Sequence, residues 1–206
     1  MFALVDKSDN SITKMLNGNK GITIGDNQYP RAIFTLWTEA ERNAINIYTV
    51  TIDESKRKDE QWYINTNITY AFDGTNATGS YGDATAKAHA DTTWTAQDET
   101  DGKGTEGEVA TRGLKYNLIQ TVKAQAEGEL NRTDWYITRK AEKNTAIPSA
   151  ITTHRDAVRS KQAAMETAIT NASDTPALET LYTYVNTADE GDPKVIERPL
   201  GELPTL

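Results

Sequence analysis

Cysteine is absent from the 206 residues, which excludes disulfide stapling and any thiolate metal site and leaves the redox compartment open. Phenylalanine occurs three times and histidine twice, so large core anchors are scarce and imidazole chemistry could draw only on His89 and His154. No stretch approaches the ~20 apolar residues of a membrane-crossing helix. The opening residues, Met1-Phe2-Ala3-Leu4-Val5-Asp6, have no basic stretch followed by a long apolar core, so no ordinary secretory leader is expected and the chain should be soluble and made in a cytoplasm. Clustered positive charge is missing too. Twenty-two Lys and Arg against 30 Asp and Glu give a formal net charge of -8 and a pI near 4.9. The densest basic run, Lys56-Arg57-Lys58, is flanked by Asp53, Glu54, Asp59 and Glu60. Neutralising phosphates takes clustered Lys and Arg, so nucleic acid is not an expected partner.

What is present is polar and small. Only 37% of residues are hydrophobic and the mean hydropathy is -0.65, a thin supply for one large core. This length suits one domain of about 150 to 200 residues or two smaller modules, and the composition favours two. Burial against neighbouring subunits supplements a thin core, so a homo-oligomer within an assembly is expected.

The patterning predicts an α+β fold. Residues 2–5 and 21–24 read as short strands separated by turn-forming Ser8, Asp9, Asn10, Asn17, Gly18 and Asn19. Thr38 caps a short helix ending near Ala44, with acidic residues in its first turn. Ile45–Ile52 alternates as a strand, and Gln61–Phe72 alternates again, placing Trp62, Ile64, Thr66, Ile68 and Tyr70 on one face and suggesting a hairpin between the two runs. From Asp73 to Gly107 few large apolar residues occur beyond Tyr81 and Trp94. Residues 97–108, rich in glycine and carboxylates, read as a linker. The expected organisation is therefore a β-rich module over 1–96, a linker over 97–108, a helical module over 109–188 and an extended tail over 189–206 that is ordered only along a partner. Within the helical module, Leu114, Leu118, Ile119, Val122, Ala126 and Leu130 recur at helical spacing across 108–131. Leu114, Leu118, Val122 and Leu130 form a candidate partner face. Thr133 caps a second helix to about Lys143, Ile147-Pro148 breaks it, a third runs over 149–171 with Ile151, His154, Val158, Met165 and Ile169 in a stripe, and a last one spans 176 to about 186.

Candidate sites are few. His154 on an apolar stripe reads as a packed imidazole, since no nucleophile motif accompanies it. His89 could join Asp91 and Asp83 at a metal, but one His among loop carboxylates reads as a surface residue, and no metal or other cofactor is expected. Asp98, Glu99, Asp101, Glu106 and Glu108 do not match the spacing of a calcium loop. No pair among the acidic residues is singled out for glycosidic cleavage. Arg155 and Arg159 lie four apart, with Asp156 and Glu142 as available partners.

One constellation carries a resemblance. Thr133-Asp134-Trp135-Tyr136-Ile137-Thr138-Arg139, then Ile147-Pro148, then His154-Arg155-Asp156-Ala157-Val158-Arg159, resembles the C-terminal module of bacteriophage tail proteins of the tail-fibre and tail assembly chaperone class. The Phe34, Trp37 and Ile47-Tyr48 run with the Trp62-Tyr63 pair is similar to the N-terminal part of such proteins. The resemblance implies a small helical unit in which Trp135, Arg139, Pro148, Arg155, Val158 and Arg159 serve packing and assembly, with other tail proteins as partners and the virion tail as location. It implies a non-enzymatic tail-fibre or baseplate-associated subunit, or alternatively an assembly chaperone absent from the particle. A third reading is a host-surface glycan-binding module using Trp94 and Tyr81. The long β-helical repeat that usually supports a sugar-degrading depolymerase is absent from the sequence.

Overall fold

The computed structural model describes residues 1–206. Strands dominate the first part and helices the second, an α+β chain as expected. It divides into two compact units, Met1–Thr85 and Ala86–Leu206, so the boundary lies ahead of residues 97–108 and not within them.

In the first unit the chain runs β1 (Phe2–Asp6), β2 (Ser11–Leu16), β3 (Ile22–Ile24), β4 (Asn27–Tyr29), α1 (Ile33–Leu36), α2 (Glu39–Ala44), β5 (Ile47–Asp53), β6 (Tyr63–Ile64), β7 (Thr69–Phe72) and β8 (Ala77–Ser80). Five of these strands form one sheet in the order β2-β1-β5-β8-β7, antiparallel except for the parallel β5–β8 pair, while β3 and β4 make a separate hairpin. The alternation of β5 feeds two cores. Tyr48 and Val50 join Ala3, Val5, Phe72 and Ala77 in one cluster, with Tyr48 and Phe72 rings 4.5 Å apart, and Ile47 joins Ile22, Ile33 and Phe34 in the other. Thr38 caps α2 in a full capping box with Glu41, as its T-x-x-E spacing predicts.

Two expectations for this unit fail for physical reasons. Ser11–Leu16, flanked by turn residues, is a strand because it pairs with β1 at the sheet edge. The 61–72 run forms no hairpin with β5; it breaks into β6 and β7, β5 takes β1 and β8 as neighbours, and Ile64 is left 59% exposed. The polar stretch after Asp73 supplies β8, a strand flanked on both sides within the sheet whose small residues are its qualification. A Cβ at Gly79 would lie 2.8–2.9 Å from Tyr70, Ile52 and Ile68, so larger neighbours on the flanking strands close over it.

After β9 (Thr85–Ala86), which spans the division, the second unit comprises β10 (Thr92–Thr93), α3 (Ala96–Thr100), β11 (Val109–Thr111), α4 (Leu114–Asn131), α5 (Asp134–Lys143), α6 (Ser149–Asn171), α7 (Thr175–Tyr182), β12 (Val185–Asn186) and β13 (Ile196–Glu197). Helices α4 and α6 pack together, burying Val122 and Ala126 of α4 and Ile151, Val158, Met165 and Ile169 of α6. The helix expected to start at 108 starts at Leu114, because Val109–Thr111 pairs with β10. Asp174, not a residue after it, caps α7 by accepting from the Ala177 amide at 2.8 Å, and α7 ends at Tyr182. The tail is not a free extended segment: β12 pairs with β13, Leu200 is buried, and its amide donates to Leu181 O at 3.0 Å.

Candidate functional site

Three of the residues that carry the tail-protein resemblance, Thr133, Asp134 and Arg155, meet at the corner between α4 and α5. Arg155 reaches this corner from α6 with its side chain almost wholly buried. Its Nη1 donates to Leu130 O at 2.8 Å and to Thr133 Oγ1 at 2.7 Å, and pairs with Asp134 Oδ1 at 2.8 Å. One cation thereby satisfies a carbonyl at the end of α4 and a carboxylate in the first turn of α5, the two places where a helix leaves backbone and dipole unbalanced. Thr133 is fully buried. It does not cap α5 with its hydroxyl as expected, because that hydroxyl donates to Leu130 O at 2.9 Å and accepts from Arg155. The node is a structural clamp in which Nη1 of its one cation makes three polar contacts, while Arg155 Nε is buried without a hydrogen-bond partner.

Around the clamp the predicted residues divide. Val158 is fully buried on α6. Pro148 holds the N-cap position of α6 with φ -56° and ψ 138°, and its carbonyl accepts from the Ile151 and Thr152 amides at 3.0 and 3.2 Å; the fixed φ of proline suits this entry. Arg159 is exposed and pairs with Asp156 at 3.2 Å. Trp135, expected as a packing anchor, is 51% exposed and stacks on its neighbour Tyr136 with ring centroids 3.7 Å apart; Ile137 is 43% exposed and Arg139 is exposed. Asp134, not Trp135, ties the start of α5 to the rest of the unit. Helix α5 buries no residue at all. The candidate partner face of α4 meets the opposite outcome: Val122 is buried against this chain's own helices and Leu114, Leu118 and Leu130 are half-buried, because the 23-residue α6 covers them.

The loop residues weighed for metal or sugar binding are held in structural roles. Asp91 accepts from the Gly113 amide at 2.8 Å and pairs with Arg112 at 2.6 Å, and these contacts hold its carboxyl below the usual range. The Ala88 and His89 carbonyls accept from the Leu114 and Lys115 amides at 3.0 and 2.9 Å, so the segment 88–91 caps α4, whose N-cap Gly113 has no side chain to do so. Asp83 pairs with Lys56 at 2.9 Å. His89, Asp91 and Asp83 do not gather as a set of ligands, and no group of three His or acidic residues is placed to hold a metal.

The glycine-rich 97–108 segment is a folded turn. Thr95 and Asp98 form a capping box, Lys103 pairs with Asp98 and Asp101 at 3.0 and 3.2 Å, and Glu99 accepts from the Glu106 amide at 3.2 Å. The Thr95 hydroxyl first, then Lys103, holds the Asp98 carboxyl down at about 2. Trp94 closes this turn: its amide donates to Glu108 O at 2.9 Å, and its indole lies so close to Gly104 that a Cβ there would overlap the ring. The pyrrole side of the half-buried Trp94 indole thus lies against the turn of its own chain.

Comparison with models of protein families, with curated proteins and with solved structures finds no match to this chain.

Proposed function

We propose that this chain is a non-enzymatic structural protein of a bacteriophage tail, a tail-fibre or baseplate-associated subunit that supports receptor-binding elements. The observation that carries the reading is the use to which the resembling residues are put. Thr133, Asp134 and Arg155 are consumed in one clamp, while Trp135 and Ile137 are left at the surface of a helix that buries nothing. A rigid corner that displays an aromatic and an aliphatic side chain is suited to holding a neighbouring protein. Chemistry has no comparable foothold: Asp83, Asp91, Asp98 and Asp101 are ion-paired to Lys or Arg, and Glu99 accepts from the Glu106 amide. The exposed Trp135 surface favours a permanent subunit, with the partner completing the cover that α5 lacks, and the partners are other tail proteins.

Mass spectrometry of purified particles tests the assignment. The chain is expected there in a fixed ratio to other tail proteins. Its presence in infected-cell lysate bound to a fibre protein, with none in finished particles, would replace the subunit by an assembly chaperone. Release of sugar from host envelopes by the purified chain would overturn the non-enzymatic reading.

A further inference from the structure

Helix α5 shows its surroundings a definite chemistry. Asp134 marks its inner side, because that carboxylate meets Arg155 of α6 at 2.8 Å. Residues four apart on a helix share a face. Trp135, Arg139 and Lys143 therefore form one stripe and Tyr136 and Lys140 the next, and at about 3.6 residues per turn both stripes lie on the side away from Asp134. Trp135 and the three cations are exposed, and none of Arg139, Lys140 and Lys143 makes an ion pair. Glu142 is the one carboxylate at the border of this face. In a chain of net charge -8, an aromatic and basic face is set apart from the rest of the surface.

The matching chemistry stands in the same unit. Strands β12 and β13 pair as a hairpin in which every strand residue is exposed. Val185 lies opposite Glu197, and alternation along the strand brings Val195 to the same face. Both valines are exposed. The loop between the strands carries Asp189, Glu190 and Asp192 against Lys194, all exposed and none ion-paired. The hairpin is tethered at its base, where Leu200 is buried and its amide donates to Leu181 O at 3.0 Å. Since α5 buries no residue and the hairpin strands stay exposed, neither face covers the other within one chain.

We propose that α5 of one copy docks on the β12–β13 hairpin of a second copy, with Trp135 against Val185 and Val195 and the α5 cations against Glu197 and the acidic loop. Apolar area supplies the centre of such a contact, and opposite charges set its orientation and exclude like faces. Because the two faces differ, the contact is head to tail and passes from copy to copy into a ring or an open chain. The proposal rests on the reading of α5 as an attachment surface and names the first neighbour to occupy it.

The test is analytical ultracentrifugation of the purified full chain, with no phage component present, over about 5 to 500 µM. The parent should gain mass with concentration, and less so as salt is raised. Two charge-reversed variants are then compared, Arg139→Glu with Lys140→Glu and Lys143→Glu, and Asp189→Lys with Glu190→Lys and Asp192→Lys. Each alone should self-associate about tenfold more weakly or worse, since like charges now meet. An equimolar mixture should associate again, because the acidic α5 of the first variant fits the basic loop of the second and their unaltered faces fit each other; this recovery also shows that both variants are folded. A parent that stays monomeric would overturn the proposal and leave α5 to a different protein. Variants that associate as the parent does, or a mixture that stays monomeric, would overturn it as well. Particles play no part in this measurement, so a monomeric parent leaves the tail assignment standing, and absence of the chain from particles leaves the self-association standing.

Discussion

At the scale of single residues, Arg155 ties the end of α4, Thr133 and the start of α5 to α6 through one guanidinium nitrogen. Removing it leaves Leu130 O, the Thr133 hydroxyl and the Asp134 carboxylate without their shared donor. Arg155→Ala should cost about 2–4 kcal/mol, below the full toll of breaking a wholly buried pair because Asp134 is half exposed. Arg155→Lys should lose less, since it keeps the charge but not the guanidinium geometry. Urea unfolding of both variants checks the order; equal stability of Arg155→Ala and the parent would refute the clamp. That an arginine mattered here was legible in the sequence, but its partners were not. Arg155 and Arg159 sit one helical turn apart with Asp156 between them, and spacing alone does not reveal which arginine meets the α4–α5 corner. Arg159 takes the local acid, whereas Arg155 takes acceptors more than twenty residues away. Trp135 illustrates the converse, a residue whose size suggested burial although the corner is held by the smaller Thr133 and Asp134 beside it.

At the scale of elements, legibility follows the range of the interactions. Helices α4, α6 and α7 announce themselves because their apolar spacing is local, and the capping boxes of α2 and α3 are four-residue patterns. The Thr95–Asp98 box was in fact the signal that residues 97–108 fold, hidden under glycine and charge. Strands β2 and β8 gave little warning, since each owes its conformation to neighbours distant in sequence. Helix α4 also carries one correctable weakness. Gly128 sits in its interior with nothing within 4 Å of where a Cβ would stand. Gly128→Ala should therefore stabilise the chain by about 0.5–1 kcal/mol and raise the melting temperature by about 1–4 °C. Thermal melts followed by circular dichroism at the helical band check this, and a lowered melting temperature would mean that the position is covered by something other than solvent.

At the scale of the whole molecule, two units with separate cores replace the β module, linker and helical module that composition suggested. The difference arises because polar, glycine-rich sequence was equated with a linker, whereas Trp94, the 88–91 segment and Asp91 tie that region to the start of α4. The expectation of thin cores supported by neighbours bears on one surface in particular, that of α5, which buries no residue. We propose that the second unit serves as an attachment surface within a phage tail and that its motif residues build or display that surface. The most direct measurement is the number of copies of this chain per purified particle, by quantitative mass spectrometry, for the parent and for Trp135→Ala with Ile137→Ala. Both substituted side chains are about half exposed, so the variant should still fold, with a melting temperature within a few degrees of the parent's. The predicted result is a fixed copy number for the parent and a loss of about tenfold or more for the variant, the scale expected when aromatic and aliphatic anchors leave an interface. A parent missing from particles, or a variant incorporated as fully as the parent, would contradict it.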